Sequence, residues 1–218
     1  DAAKYCKLIF KVLACATECY NCTAQGTSDD TKCILCDIDN NYYPLYNKSS
    51  QCHHKDSPPD GYFFNEENQV FESCYDSCKS CYGIGTRDAS NCRECNTDYY
   101  PLEDDSKRCY KSDEDVDFYY YNSTNTQFEQ CHEGCLLCSG EGEDTNFRCT
   151  SCDQTNTNDS LKFYPSFQGL SATFGICYNE ETKPHNYYKN SSDVYDECEV
   201  GCYSCTTKDT PHSVSDCD

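Results

Sequence analysis

Cysteine is the residue type placed to do chemistry in this chain. Cys19-x2-Cys22-x10-Cys33-x2-Cys36 has the spacing of a four-thiolate zinc site, and the sets that begin at Cys78 and Cys135 repeat it. The same residues can instead close disulfides. Two further cysteines flank each set: Cys15 and Cys52, Cys74 and Cys109, Cys131 and Cys177. Zinc leaves these outer cysteines without a role, whereas disulfides use them all. The reading is therefore disulfides, which persist in oxidising compartments and put the chain outside the cell or on its surface. No metal and no other cofactor is expected.

The elements that must position these sulfurs repeat with them. The pattern C-x3-C-x2-C-x10-C-x2-C followed by a sixth cysteine runs from Cys15, from Cys74 and from Cys131, and it starts again as Cys198, Cys202, Cys205 and Cys217. Self-similarity at a period of this length marks a tandem array. The units are an apolar N-terminal segment over 1–14, repeats over 15–73, 74–130 and 131–197, and a partial repeat over 198–218. Twenty-three cysteines in 218 residues mark a disulfide scaffold. Modules of about 60 residues with little aliphatic content need such staples to stay folded.

Each repeat has two halves. The first holds five cysteines around a polar, Gly-bearing loop such as Tyr82-Gly83-Ile84-Gly85-Thr86, with the C-x2-C segments read as turns. The second carries aromatic runs: Tyr42-Tyr43-Pro44-Leu45, Tyr99-Tyr100-Pro101-Leu102 and Phe163-Tyr164-Pro165, then Tyr62-Phe63-Phe64-Asn65, 118–121 before Asn122, and Tyr187-Tyr188 before Asn190. One more aromatic, Phe71, Phe128 or Tyr195, stands three residues before each new repeat. Short aromatic runs bounded by Asn, Asp and Gly predict strands in hairpins, with almost no helix. The aromatics are expected to pack on the sulfur bridges. Six cysteines allow fifteen pairings. The spacing favours first to third, second to fourth and fifth to sixth, hence Cys15–Cys22, Cys19–Cys33 and Cys36–Cys52; Cys74–Cys81, Cys78–Cys92 and Cys95–Cys109; Cys131–Cys138, Cys135–Cys149 and Cys152–Cys177; Cys198–Cys205 and Cys202–Cys217.

Together these motifs resemble the furin-like repeats of the growth-factor-receptor cysteine-rich superfamily, over roughly residues 15 to 218, and arrays of this type also look like surface proteins of ciliates and other protists. The resemblance implies small disulfide-rich modules with short hairpins that form an extended rod, with the pairing above. The long insert between Cys152 and Cys177 departs from the pattern. No ligand-binding leucine-rich domain accompanies the array, so receptor function does not carry over.

A formal net charge of −21 argues against nucleic-acid binding and against attachment to an anionic membrane. No apolar run is long enough to span a bilayer. Five N-x-[ST] sequons occur, at Asn21, Asn47, Asn122, Asn158 and Asn190. Asn122 and Asn190 hold the same place in successive repeats and are the first candidates for N-linked glycans. Asn47 and Asn158 come next, and Asn21, wedged between cysteines, is the weakest. Asp113-x-Asp115-x-Asp117 fails as an EF-hand loop, with Phe118 and Thr124 where Gly and Glu are required. It is read as a solvated acidic face. The histidines recur at no repeat position and are read as surface residues. There is no phosphate loop, nucleophile elbow or His-Glu-x-x-His motif, and the chain is not expected to be an enzyme.

Cys6 matches no repeat position and makes the cysteine count odd. Beside it runs the most aliphatic stretch of the chain, Leu8, Ile9, Phe10, Lys11, Val12 and Leu13. It reads either as a strand packed on the first module or as a docking segment for another subunit. The expectation taken forward is the second, with residues 5–14 in an inter-subunit contact and Cys6 bonded across it. The functional expectation is an extracellular glycosylated structural protein, a subunit of a coat, stalk or filament, meeting copies of itself head to tail or other surface proteins. The alternative is the ectodomain of a receptor or surface antigen that binds a soluble or cell-surface partner.

Overall fold

A computed structural model describes residues 14–27, 31–143, 147–166, 175–198 and 202–206. Nearly all regular structure is short β-hairpin. Helix among the described residues is limited to two single 3-10 turns, Ile38–Asn40 and Asp159–Leu161. The chain divides into two compact units, Asp1–Thr97 with Lys107–Cys109, and Asp98–Ser106 with Tyr110–Asp218. The first contains all of repeat 1 and the cysteine-rich half of repeat 2. The second contains the aromatic half of repeat 2 together with repeat 3 and the partial fourth repeat.

Each full repeat is built from three hairpins in fixed order. The knot hairpin pairs Cys19–Cys22 with Cys33–Cys36, Cys78–Cys81 with Cys92–Cys95, and Cys135–Cys138 with Cys149–Cys152. The tyrosine hairpin pairs Tyr42–Leu45 with Lys48–His54, Tyr99–Pro101 with Cys109–Lys111, and Tyr164–Pro165 with Cys177–Tyr178. The aromatic hairpin pairs Tyr62–Asn65 with Val70–Ser73, Tyr119–Asn122 with Gln127–Gln130, and Tyr187–Lys189 with Tyr195–Glu197.

The C-x2-C segments are strands, not turns. A regular strand would aim residues i and i+3 at opposite faces. Each knot carries register shifts, as between Cys78 and Ser80 and between Ser80 and Cys81. Such bulges insert a residue and re-aim the side chains around it; Cys78 and Cys81 both bond within the knot, to Cys92 and Cys74, while Cys95 reaches out to Cys109. The backbone compensates at one repeated place: Lys32, Asn91 and Arg148, each just before the fourth cysteine, hold left-handed φ of 56°, 58° and 54°. Three unlike residues accept that conformation because the cross-links on either side impose it. Glycine is required at Gly26 and Gly85, where a Cβ would stand 2.2 Å from the carbonyl oxygen of Thr31 or Ser90.

The aromatic hairpins have their own core. Phe71, Phe128 and Tyr195 are the fully buried rings, at 0%, 1% and 0% exposure. Each lies on a parallel bridge to the tyrosine hairpin: Leu45 with Phe71, Leu102 with Phe128, Ser166 with Tyr195. In repeat 1 this joins four strands into one sheet. A ring ladder repeats as well. Tyr43 meets Phe64 at 4.6 Å and Phe64 meets Phe71 at 5.3 Å, while Tyr100 meets Tyr121 at 4.6 Å and Tyr121 meets Phe128 at 5.6 Å. The aromatics thus separate from the sulfur bridges more than expected. The cluster of Leu102, Tyr110, Val116 and Phe128 contains no cysteine, because the second and third hairpins of a repeat have each other's faces to cover. Sulfur and rings do mix around Cys135, Phe147, Cys149 and Cys177.

Candidate functional site

The described cysteines are all disulfide-bonded. Cys15 bonds Cys22, Cys19 bonds Cys33 and Cys36 bonds Cys52. The second repeat has Cys74–Cys81, Cys78–Cys92 and Cys95–Cys109, and the third has Cys131–Cys138, Cys135–Cys149 and Cys152–Cys177. In the fourth, Cys198 bonds Cys205, and Cys202 is also disulfide-bonded. Cys217 lies outside the described residues. The zinc reading fails on this pattern, because the four cysteines of a would-be site, such as Cys78, Cys81, Cys92 and Cys95, are spread over three different bridges. Among the described residues no group of three or more His, Cys, Asp or Glu side chains is placed to hold a metal ion.

A buried hydroxyl supports the crossed bonds in repeats 1 and 2. Thr31 Oγ1 donates to the Ser50 carbonyl at 2.6 Å and accepts from the Cys52 amide at 3.3 Å. Ser90 Oγ does the same with the Lys107 carbonyl at 3.1 Å and the Cys109 amide at 3.4 Å. The fifth-to-sixth bridge is thereby tied to the knot. In repeat 3 the position is Phe147, and its ring stacks on His132 at 3.6 Å instead.

The sequon asparagines fall into two groups. Asn122 and Asn190 are half-buried, not freely exposed, and their carboxamides build the hairpin turns. Asn122 Oδ1 accepts from the Thr124 amide at 2.9 Å and its Nδ2 donates to Glu129 at 2.7 Å. Asn190 Oδ1 accepts from the Ser192 amide at 2.8 Å and its Nδ2 donates to Asp196 at 2.8 Å. Asn65 occupies the same place in repeat 1, with the same bonds to the Glu67 amide and to Glu72, and has no sequon. The equivalent placement of these residues therefore has a structural cause, the side-chain turn that asparagine forms with the backbone two residues on. That signal was readable from the alignment of Asn65 with Asn122 and Asn190. Asn47 is exposed in the two-residue turn of the first tyrosine hairpin, and Asn158 is exposed ahead of the 3-10 turn, where it accepts from the Ser160 amide.

Glu129 gathers hydrogen bonds from Asn122, Asn125, Tyr120 and Gln127. Those from Asn122 and Asn125, with Tyr120, lower its carboxyl from the usual 4.5 to about 2. Burial, with the Glu129 bond, pushes the Tyr120 phenol up to about 12. Tyr195 holds the place of Phe71 and Phe128, and its buried hydroxyl donates to Glu180 at 2.9 Å. The acidic positions Asp113, Asp115 and Asp117 are exposed.

Two histidines correct the surface reading. His53 is half-buried with its ring 6.1 Å from Phe71, and burial lowers its pKa; His132 carries the stack on Phe147. His54 is half-buried, 3.8 Å from Asp56. His185 stacks on Tyr203 at 4.8 Å. His212 lies outside the described residues.

The interface expected at Cys6, Leu8, Ile9, Phe10, Val12 and Leu13 lies outside the described residues. Repeat 1 carries an apolar patch on its knot. Tyr20, Ile34, Leu35 and Ile38 border one groove and are 72%, 51%, 57% and 58% exposed.

Bulged knots, crossed disulfides and ring-packed hairpins in tandem define an array of cysteine-rich repeats, and the relatives it matches are furin-like cysteine-rich repeat proteins. The chain is similar to proprotein convertase subtilisin/kexin type 5 of Homo sapiens, 28% identical over 111 residues that make up 51% of this chain and 5% of that protein. It is similar to cysteine repeat modular protein 2 of Tetrahymena thermophila, 27% identical over 119 residues, 49% of this chain and 6% of that protein. It is also similar to the extracellular matrix organizing protein FRAS1 of Homo sapiens, 25% identical over 148 residues, 68% of this chain and 3% of that protein. The chain thus spans a small part of these relatives. No protein-family profile matches it, and neither does any solved structure. The matches fall in cysteine-rich repeat regions. Dense disulfides and these relatives place the chain outside the cell or at its surface. Among the described residues no helix is long and apolar enough to cross a membrane.

Proposed function

We propose that this chain is a structural subunit of an extracellular coat, stalk or filament, N-glycosylated and assembling with copies of itself or with other surface proteins. One observation carries the reading. The knots keep the same bonds, bulges and left-handed residues while the residue they display outward changes from repeat to repeat: Ile34, Arg93 and Thr150 are exposed at one position. That is the property of a repeated frame that presents surface rather than of a pocket that turns over a substrate. Serial modules with unlike ends suit head-to-tail contact, which propagates when the rotation does not close. Glycans on Asn47 and Asn158, with Asn122 and Asn190, fit an exposed coat.

Electron microscopy of native material, with intact-mass analysis, tests the proposal. The expected result is a regular polymer whose subunit mass exceeds the polypeptide by discrete glycan increments. Dispersed single copies that capture a soluble partner would replace it with the receptor or antigen reading.

A further inference from the structure

The second aromatic hairpin has a face that its core does not use. On a strand, residues i and i+2 share a face, and the residue directly across stands with them. Tyr120 and Asn122 are so placed, with Glu129 opposite Tyr120. Glu129 Oε2 accepts from the Tyr120 hydroxyl and from Asn122 Nδ2, each at 2.7 Å. One carboxylate therefore holds the ring and the carboxamide side by side. The ring ladder runs through Tyr121 instead, and Tyr120 has no place in the cluster of Leu102, Tyr110, Val116 and Phe128. Tyr120 is half-buried. The fold thus fixes its ring without burying it.

The other repeats and sequons serve as controls. The same three positions are Phe63, Asn65 and Glu72 in repeat 1, and Tyr188, Asn190 and Asp196 in repeat 3. Asn65-Glu66-Glu67 is not a sequon. Tyr188 is only 6% exposed, so little of its ring is open to a sugar on Asn190. Two residues before Asn21, Asn47 and Asn158 stand Cys19, Leu45 and Asn156, none of them aromatic. Of the five sequons, Asn122 alone has a half-open ring beside it on the same face.

The chemistry of a glycan matches that face. The glycosidic bond replaces one of the two Nδ2 hydrogens and leaves the other for Glu129. A pyranose presents a flat side of C–H groups. The face of a tyrosine ring is the negative side of its quadrupole and attracts such groups, while apolar area leaves water. Residues i and i+2 lie roughly 6.6 Å apart along a strand, about the span of one sugar. The sugar is covalently held beside the ring, so the contact costs little ordering. We infer that the Tyr120 ring is the seat of the first sugar, an N-acetylglucosamine, of a glycan on Asn122, and that this contact fastens the hairpin. The inference rests on the glycosylation proposed above and adds the surface on which the sugar lies.

The test uses the secreted full chain, with its glycans trimmed by an endoglycosidase to the first N-acetylglucosamine. Thr124→Ala supplies the bare chain. It removes the sequon and keeps Asn122, because Thr124 gives the turn its backbone amide. Hydrogen exchange across Tyr119–Asn122 and Gln127–Gln130 is compared with and without the sugar. The sugar should slow exchange by roughly threefold or more, the scale of one ring contact. Its protons should also move upfield in NMR spectra under the ring current. Tyr120→Phe keeps the ring and drops the hydroxyl, and should keep both effects. Tyr120→Leu should lose both, with the disulfide map unchanged. A sugar that is present but slows exchange equally with Tyr120 and with Tyr120→Leu, or that leaves exchange unaltered in the parent, overturns the inference and leaves glycosylation standing. An Asn122 peptide at unmodified mass overturns both at this site.

Discussion

Knots and aromatic hairpins solve the same problem in opposite ways. A knot is closed by sulfur, so its outward residue is free to vary: Ile34, Arg93 and Thr150 are exposed just after the fourth cysteine of their repeats. An aromatic hairpin has no cross-link of its own and is held by one fully buried ring, Phe71, Phe128 or Tyr195. There the inward residues are constrained, and even the turn is specified by Asn65, Asn122 or Asn190. Specificity therefore belongs on the knots, and the hairpins space one knot from the next in sequence.

Breaking a hairpin should cost most. Phe128→Ala removes the ring that bridges to Leu102 and contacts Tyr110 and Tyr121. A loss of about 3 to 5 kcal/mol is expected, read by thermal or denaturant unfolding of the oxidised protein. A loss below that of a surface change would mean the hairpins are not ring-held. Replacing Cys78 and Cys92 together by Ser opens a bridge of sequence separation 14. The chain-entropy model puts this at about 3 kcal/mol, and hydrogen exchange should rise in the second knot before the first. Ser90→Ala strips the partner from the Lys107 carbonyl and the Cys109 amide inside that knot. It should cost about 1 to 3 kcal/mol, while Ser90→Thr, the residue type of repeat 1, should restore most of the loss.

The smallest effect is one of pH. The folded-state carboxyl of Glu129 is lowered to about 2 from 4.5. The stabilisation it gives the turn at Asn122 is thus fully present above pH 4.5 and lost as pH falls through about 2. An NMR titration should show the Asn122 and Thr124 amides shifting in that window, further than the amides of the third-knot strands Cys135–Cys138 and Cys149–Cys152, which carry no carboxylate. Movement of both sets together would tie the hairpin and the knot into one cooperative unit.

Cysteine pairing preference and the Tyr-Tyr-Pro hairpins were legible because spacing and short aromatic runs report directly on closure and on strands. The bulged strands at the C-x2-C segments were not, since of the left-handed residues Lys32, Asn91 and Arg148 none is glycine and only one is asparagine, the types that announce that conformation. Their conformation comes from covalent closure rather than from local preference. The burial of His53 against Phe71 was hidden for a similar reason, because it depends on a parallel bridge between hairpins some twenty residues apart in sequence. The patch on the first knot was visible in principle. Setting Ile34-Leu35 beside Arg93-Glu94 reveals it, but only once the structure shows these pairs facing outward.

The central claim is that one frame of crossed disulfides repeats along the chain. Peptide mapping of native protein without reduction tests it directly. The account predicts peptides joined as Cys74–Cys81, Cys78–Cys92 and Cys95–Cys109, with the same pattern in the flanking repeats. A Cys78–Cys81 peptide, or free thiols at these positions that appear only when zinc is chelated, would contradict it.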